Sequence, residues 1–226
     1  MTSREKIGQL FMVGFLGTSV TPDLTSFIKE YKPGGVILFS RNLESVGQMV
    51  DLTNDLQACS PHSPLLISID QEGGRVSRLP KGFTIFPPCD LLGQCRSTEL
   101  AYAAAATIAK ELRAVGVNMN MAPVLDVNSN PDNPVIGDRA FGTTPDVVCE
   151  LGMATAAGLQ GNKVVACGKH FPGHGGYQYR FPQRTSGGRG ITGTVGGHRV
   201  PPVPSCDCAG YRVDDDRTCA LPGSRS

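Results

Sequence analysis

Short, nearly continuous apolar runs alternate along this chain with segments of helical pattern, and that alternation limits the folds open to it. Val36-Ile37-Leu38-Phe39 follows a helical segment, Pro22–Tyr31, that Pro33-Gly34-Gly35 closes. Residues 43–59 read as a second helix, which Ser60-Pro61 stops before an apolar strand at 65–69. Ser97 caps a helix running to Val115, and Gly116 ends it. Residues 117–127 then read as a long strand, 145–160 as a helix and 163–168 as a strand. Apolar strands separated by helices imply a parallel sheet covered on both faces. Counting the early segment 10–15 gives five strands. Five fits an open doubly wound sheet or an incomplete barrel.

The strand exits are polar. Asp70 follows LLISI within DQEGGRVSRL, Asp126 ends NMAPVLD, and Lys169 and His170 end VVACG within KHFPGHG. In a parallel barrel all strands end on one face, so these groups would share a pocket. The glycines at 73, 74, 173 and 175 would let backbone approach a ligand there. Taken singly, Asp70 could cap the next turn and Lys169 could be an ordinary ion-pair partner. Neither GxxxxGK[ST] nor GxGxxG follows any strand, which speaks against a nucleotide cofactor.

Composition changes abruptly near residue 176. Residues 176–226 hold seven of the 14 Arg, none of the seven Lys, nine Gly and five Pro, but only seven Ile, Leu, Val or Phe. They follow neither hydrophobic period and are expected to be disordered. The formal charge of +1 gives no basic footprint for nucleic acid, and no apolar run reaches the roughly 18 residues of a membrane span. No leader sequence is evident at the N-terminus, so a soluble, cytoplasmic protein is expected. There is no CxxC, and His198, Cys206, Cys208 and Cys219 lack zinc-ligand spacing. No metal and no cofactor are expected.

DQEGGRVSRL, then APVLDVNSNPDNPVIGDRAFG, then KHFPGHG, in that order, resemble the N-terminal barrel of family 3 glycoside hydrolases, and KHFPGHG points to the β-N-acetylhexosaminidase branch. The resemblance covers residues 5–175. It implies an α/β fold, a (β/α) TIM-type barrel, here incomplete with about five of eight βα units. It also implies retaining hydrolysis of terminal β-linked N-acetylglucosamine from peptidoglycan or chitin-type fragments, so that a small carbohydrate is the expected partner. The resemblance makes Asp70, Arg78, Arg139, Lys169 and His170 the sugar-binding residues. Arg75 and Asp126 become supports of the pocket.

In the family KHFPGHG runs on into D-x-x-x-D-S-H. The second Asp and the His form the acid/base dyad, and a separate downstream Asp is the nucleophile. Here Gly176 stands for the first Asp, Arg180 for the dyad Asp and Pro182 for the dyad His, while His174 belongs to the loop. Residues 176–183 can be encoded as GGA TAC CAG TAT CGA TTC CCA CAG, and dropping the first G reads Asp-Thr-Ser-Ile-Asp-Ser-His. The same kind of shift turns residues 208–226 into AQGIESMMTAHVRYPALD, which resembles the family's next strand. The expected organisation is therefore a barrel portion over 1–175 and an out-of-frame tail over 176–226, with no catalytic residues retained. A non-catalytic sugar-binding remnant and a glycoside phosphorylase are the alternatives. The sequence sets no oligomeric state.

Overall fold

Five strands lie side by side in the order in which they occur in the chain, all parallel. The computed structural model describes residues 1–61 and 63–176. Within them the order is α1 (Ser3–Gly8), β1 (Met12–Val13), α2 (Pro22–Tyr31), β2 (Gly35–Leu38), α3 (Val46–Ala58), β3 (Leu66–Ile69), α4 (Cys89–Cys95), α5 (Thr98–Ala114), β4 (Met119–Asn120), α6 (Pro145–Gly161) and β5 (Val165–Ala166). Short 3₁₀ turns lie at Ser40–Asn42 and Gly137–Arg139. A doubly wound sheet reverses its strand order at a switch point. Among the described residues the sheet never reverses, so it winds as a barrel does, with about five of eight units. The tail at 177–226, including Arg180 and Pro182, lies outside the described residues.

Helix starts follow local chemistry. Thr21 accepts from the Leu24 N–H at 3.2 Å and Pro22 opens α2, while Ser45 and Ser97 cap α3 and α5 in the same way. Gly116 ends α5 at φ +80°, and a Cβ there would lie 2.4 Å from Thr53 Oγ1. Thr53 in turn donates to Val115 O at 2.9 Å, so the end of α5 is fastened to α3.

Register decides which side chains meet. Gly35 pairs with Leu66 and Val36 with Ile67, so Val36, Leu38, Ile67 and Ile69 share one face. All four are fully buried in one cluster with Ile28 of α2, Met49, Leu52 and Leu56 of α3, and Leu112 of α5. This is the helix-covered side of the sheet. The other face carries Met12, Leu66, Ser68 and Val165, and Leu66 and Val165 are exposed there.

The long strand expected at 117–127 is only Met119–Asn120, and the one expected at 163–168 only Val165–Ala166. Side chains and an isolated bridge extend a short backbone ladder. Asn118 Oδ1 accepts from Ile67 N at 2.7 Å and its Nδ2 donates to Leu65 O at 3.0 Å. Asn120 makes the same double contact with the backbone of Gln71, at 3.0 and 2.8 Å. Pro123 has no N–H to offer a ladder, and pairing resumes only at a Val124–Lys169 bridge. The early strand is likewise Met12–Val13 within 10–15, and the second helix begins at Val46 rather than 43.

Candidate functional site

Asp70 leaves β3, and Lys169 and His170 follow β5. Lys169 is held by its own backbone, which accepts from Leu125 N at 2.6 Å and donates to Pro123 O at 3.1 Å. Its Nζ donates to Asp70 Oδ1 at 2.7 Å and to Glu72 Oε1 at 2.5 Å. Arg139 arrives from the 3₁₀ turn between β4 and α6. It grips Glu72 with two N–H groups, Nε to Oε2 and Nη2 to Oε1, each at 2.9 Å. Arg139 Nη2 also lies 3.4 Å from His170 Nε2, and His170 Nδ1 lies 2.6 Å from Asp126 Oδ2. A proton on Nδ1 serves Asp126 and leaves Nε2 as the acceptor facing Arg139.

Asp126 is completely buried and uses its other oxygen to accept from His174 N at 2.5 Å. It therefore orients the imidazole and anchors the 171–175 loop together. Arg75 clamps a different loop: Nε pairs with Asp138 at 2.7 Å, and Nη2 donates to Val135 O and Ile136 O at 2.8 and 3.0 Å. Both residues thus tie loops at this end of the sheet, Arg75 the 135–138 segment and Asp126 the 171–175 segment.

Four of the five expected site residues, Asp70, Arg139, Lys169 and His170, thus belong to one polar network at the carboxyl ends of β3, β4 and β5. Arg78 differs. Its backbone N–H donates to Gln71 Oε1 at 2.9 Å, but its guanidinium makes no hydrogen bond among the described residues, and its Nε is buried without a partner. A buried unpaired donor costs about 1–3 kcal/mol. An acceptor brought by a ligand would satisfy it.

Three further residues organise the site, and none stood out in the sequence. Gln71, almost fully buried, accepts from Arg78 N and donates to Ser77 Oγ at 3.0 Å, folding the 71–79 loop back on itself. Asn133 donates to His174 O at 2.6 Å and accepts from Val135 N at 2.9 Å, tying the 133–139 loop to the one after β5. Glu72 has a side-chain exposure of 1%. Burial alone would raise its pKa, but hydrogen bonds from Arg139 and Lys169 outweigh that and hold the carboxyl below its ordinary value. The Glu72 bond in turn raises Arg139 against the opposing effect of burial. The only signal for Gln71 and Glu72 was their place directly after Asp70.

Three of the four glycines admit close contacts within the protein itself. At Gly73, φ is +106°, and a Cβ would lie 2.5 Å from Pro87 O; at Gly74 it would lie 2.6 Å from Pro88 Cβ. These two serve the packing of their own loop against 87–88. Gly175 likewise admits Val127 O, 1.6 Å from where a Cβ would be, and only Gly173 faces open space.

Among the described residues, no group of three or more His, Cys, Asp or Glu side chains is placed to hold a metal. No helix there is long and apolar enough to cross a membrane. A cleft of about 440 Å³ lined by Asp90, Arg96, Asn128, Asp138 and Phe141 contains none of the five expected residues.

Residues 2–179 match the model of the glycosyl hydrolase family 3 N-terminal domain. The chain belongs to this family. A β-hexosaminidase of Nitrosomonas eutropha is 45% identical over 174 residues, which is 74% of this chain and 49% of that protein. Beta-hexosaminidase A of Pseudoalteromonas piscicida is 42% identical over 170 residues, 70% of this chain and 28% of that one. Among solved structures, a family 3 β-N-acetylglucosaminidase from a Paenibacillus species superposes with a TM-score of 0.75 at 48% identity, covering 77% of this chain and 34% of its own. NagZ of Neisseria gonorrhoeae in complex with N-trifluoroacetyl-D-glucosamine gives 0.68 at 35% identity, over 73% and 50%. The chain spans about half the length, or less, of these relatives. It therefore holds part of the family's N-terminal domain, with a parallel α/β winding like that of these solved structures.

Proposed function

We propose that this chain carries the sugar-binding part of a β-N-acetylhexosaminidase site, and that as written it binds terminal N-acetylglucosamine without hydrolysing it. The reading is supported by the convergence of Asp70, Arg139, Lys169 and His170 in one network, and by Arg78 Nε, which is buried without a partner. It is supported also by the β-hexosaminidase names of the relatives. Asp70 accepts from sugar hydroxyls, and Lys169, Arg78 and Arg139 donate to hydroxyl and amide oxygens. Charge-assisted bonds of this kind are roughly twice as strong as neutral ones. Retaining hydrolysis further needs a general acid to protonate the leaving oxygen and a nucleophile to hold the sugar covalently. Arg180 and Pro182 stand where the family has its acid/base pair. An arginine and a proline can do neither task.

Residues 176–226 are, on this reading, an out-of-frame tail. A chromogenic p-nitrophenyl N-acetylglucosaminide should show no turnover above background with the 226-residue chain. Removing one G near the Gly175 codon should restore it where the downstream gene is intact, and general acid catalysis alone contributes about 10²–10⁴-fold. Clear hydrolysis by the chain as written would refute the assignment of its chemistry, and the absence of any N-acetylglucosamine binding would refute the sugar site.

A further inference from the structure

We propose that Glu72 is the positioning residue of this site, a buried carboxylate that aims the last unused donors of Arg139 and Lys169 at the sugar; the inference rests on the sugar-binding reading above. Two facts exclude direct contact as its role. Its side chain is 1% exposed, and both oxygens are taken: Oε2 by Arg139 Nε, Oε1 by Arg139 Nη2 and Lys169 Nζ.

Counting donors shows what this leaves. An ammonium has three N–H groups and a guanidinium five. Lys169 uses one on Glu72 and one on Asp70, so one remains. Arg139 uses Nε and one Nη2 hydrogen on Glu72, the other Nη2 hydrogen towards His170 and one Nη1 hydrogen on Val135 O, which leaves one at Nη1. Among the described residues each cation thus keeps a single donor for a ligand, and the direction of each is set by the bonds to the same carboxylate. Glu72 itself is placed by its backbone N–H, which donates to Val76 O at 3.0 Å within the hairpin-like 72–76 turn.

A glutamine at this position has nearly the same shape but only one acceptor oxygen. If that oxygen faces Lys169 Nζ and Arg139 Nη2, its amide N–H meets Arg139 Nε–H, donor against donor. If it faces Nε, the amide meets Nζ and Nη2 instead. Either way at least one cation must turn, and its spare donor with it. An aspartate keeps the charge but is one methylene shorter, so it can hold one cation fully and the other poorly.

The test is a ¹⁵N NMR titration of the full chain with N-acetylglucosamine, comparing wild type, Glu72→Gln and Glu72→Asp. The Arg139 Nε–H signal is followed in the same samples. The expected result is a loss of affinity of about tenfold or more in Glu72→Gln, the size of one charge-assisted bond, with Glu72→Asp between. The Arg139 Nε–H should exchange slowly in wild type and rapidly in Glu72→Gln, a change that mere loss of stability elsewhere does not produce. Should Glu72→Gln fail to fold, Glu72→Asp and the wild-type exchange rate carry the test. Unchanged affinity in the variants, or a rapidly exchanging Arg139 Nε–H in wild type, overturns the proposal. If wild type binds no sugar, the sugar reading fails, and the Nε–H comparison still decides whether Glu72 holds Arg139.

Discussion

Gly93 joins the stability of the fold to the placement of Arg139. It lies inside α4, and a Cβ there would sit 1.6 Å from Phe141 O and 2.7 Å from Phe141 C. Ordinary C···O contacts are about 3.3–3.6 Å, so Gly93→Ala requires the Phe141 carbonyl and α4 to separate by roughly 1.7 Å. Neither is free to move. Phe141 is buried against Cys89, Ala101, Val148 and Leu151, and Cys89 belongs to α4 itself. Overpacking of this kind costs about 1–3 kcal/mol, and contact with backbone belongs at the upper end. The helix preference of Ala over Gly returns about 1 kcal/mol. The net loss is about 2 kcal/mol, or a fall in Tm of about 4–8 °C for a chain of this size. Because Arg139 is two residues before Phe141, affinity for N-acetylglucosamine should fall as well. The control is Gly47→Ala in α3, where a Cβ would meet nothing within 4 Å. There the helix preference acts alone and should raise Tm. Thermal melts followed by circular dichroism read both signs, and a Gly93→Ala protein as stable as wild type would refute the packing argument.

Two other perturbations follow from the buried groups. Burial first, and then the Glu72 and Asp90 carboxylates, push the Cys89 thiol up to about 12, whereas Cys95 at the end of the same helix is exposed. At about pH 8, iodoacetamide should therefore modify Cys95 and spare Cys89 in the native protein, since only thiolate reacts; peptide mapping that finds both modified equally would count against the buried assignment. Glu72 has a folded-state pKa below its ordinary value of 4.5, so its stabilisation is present above that value and is lost as pH falls through the lower one. Wild-type Tm should drop on acidification below about pH 4.5 more steeply than that of Glu72→Gln. Parallel curves would show that the Glu72 pairings contribute nothing to the acid limb.

Local signals in the sequence were sufficient for much of the backbone. The Ser45 cap that starts α3 at Val46 was hidden within the helical pattern of 43–59, whereas Ser97 offers a hydroxyl to an N–H three residues on, Pro22 and Pro145 fit the first helical turn, and Gly116 takes the left-handed conformation that ends α5. These interactions span a few residues, so their spacing is legible without the fold. The positions of Asp70, Lys169 and His170 at strand ends were legible in the same way, within the strings that carry the family resemblance. The short α4 was not legible, because seven residues beginning after Pro88 without a side-chain cap, and containing Gly93, carry little intrinsic preference for helix. The true length of β4 was also hidden, since residues 117–127 are apolar enough for a strand, while Pro123 interrupts the ladder and the side chains of Asn118 and Asn120 supplement the backbone pairing. The network through Glu72, the loop tie at Asn133 and the unpaired Nε of Arg78 were decided only by tertiary structure. Glu72 meets Arg139 across 67 residues and Lys169 across 97, and Asn120 meets Gln71 across 49. A carboxylate in a motif becomes a structural anchor only when the fold brings two cations to it and removes the water.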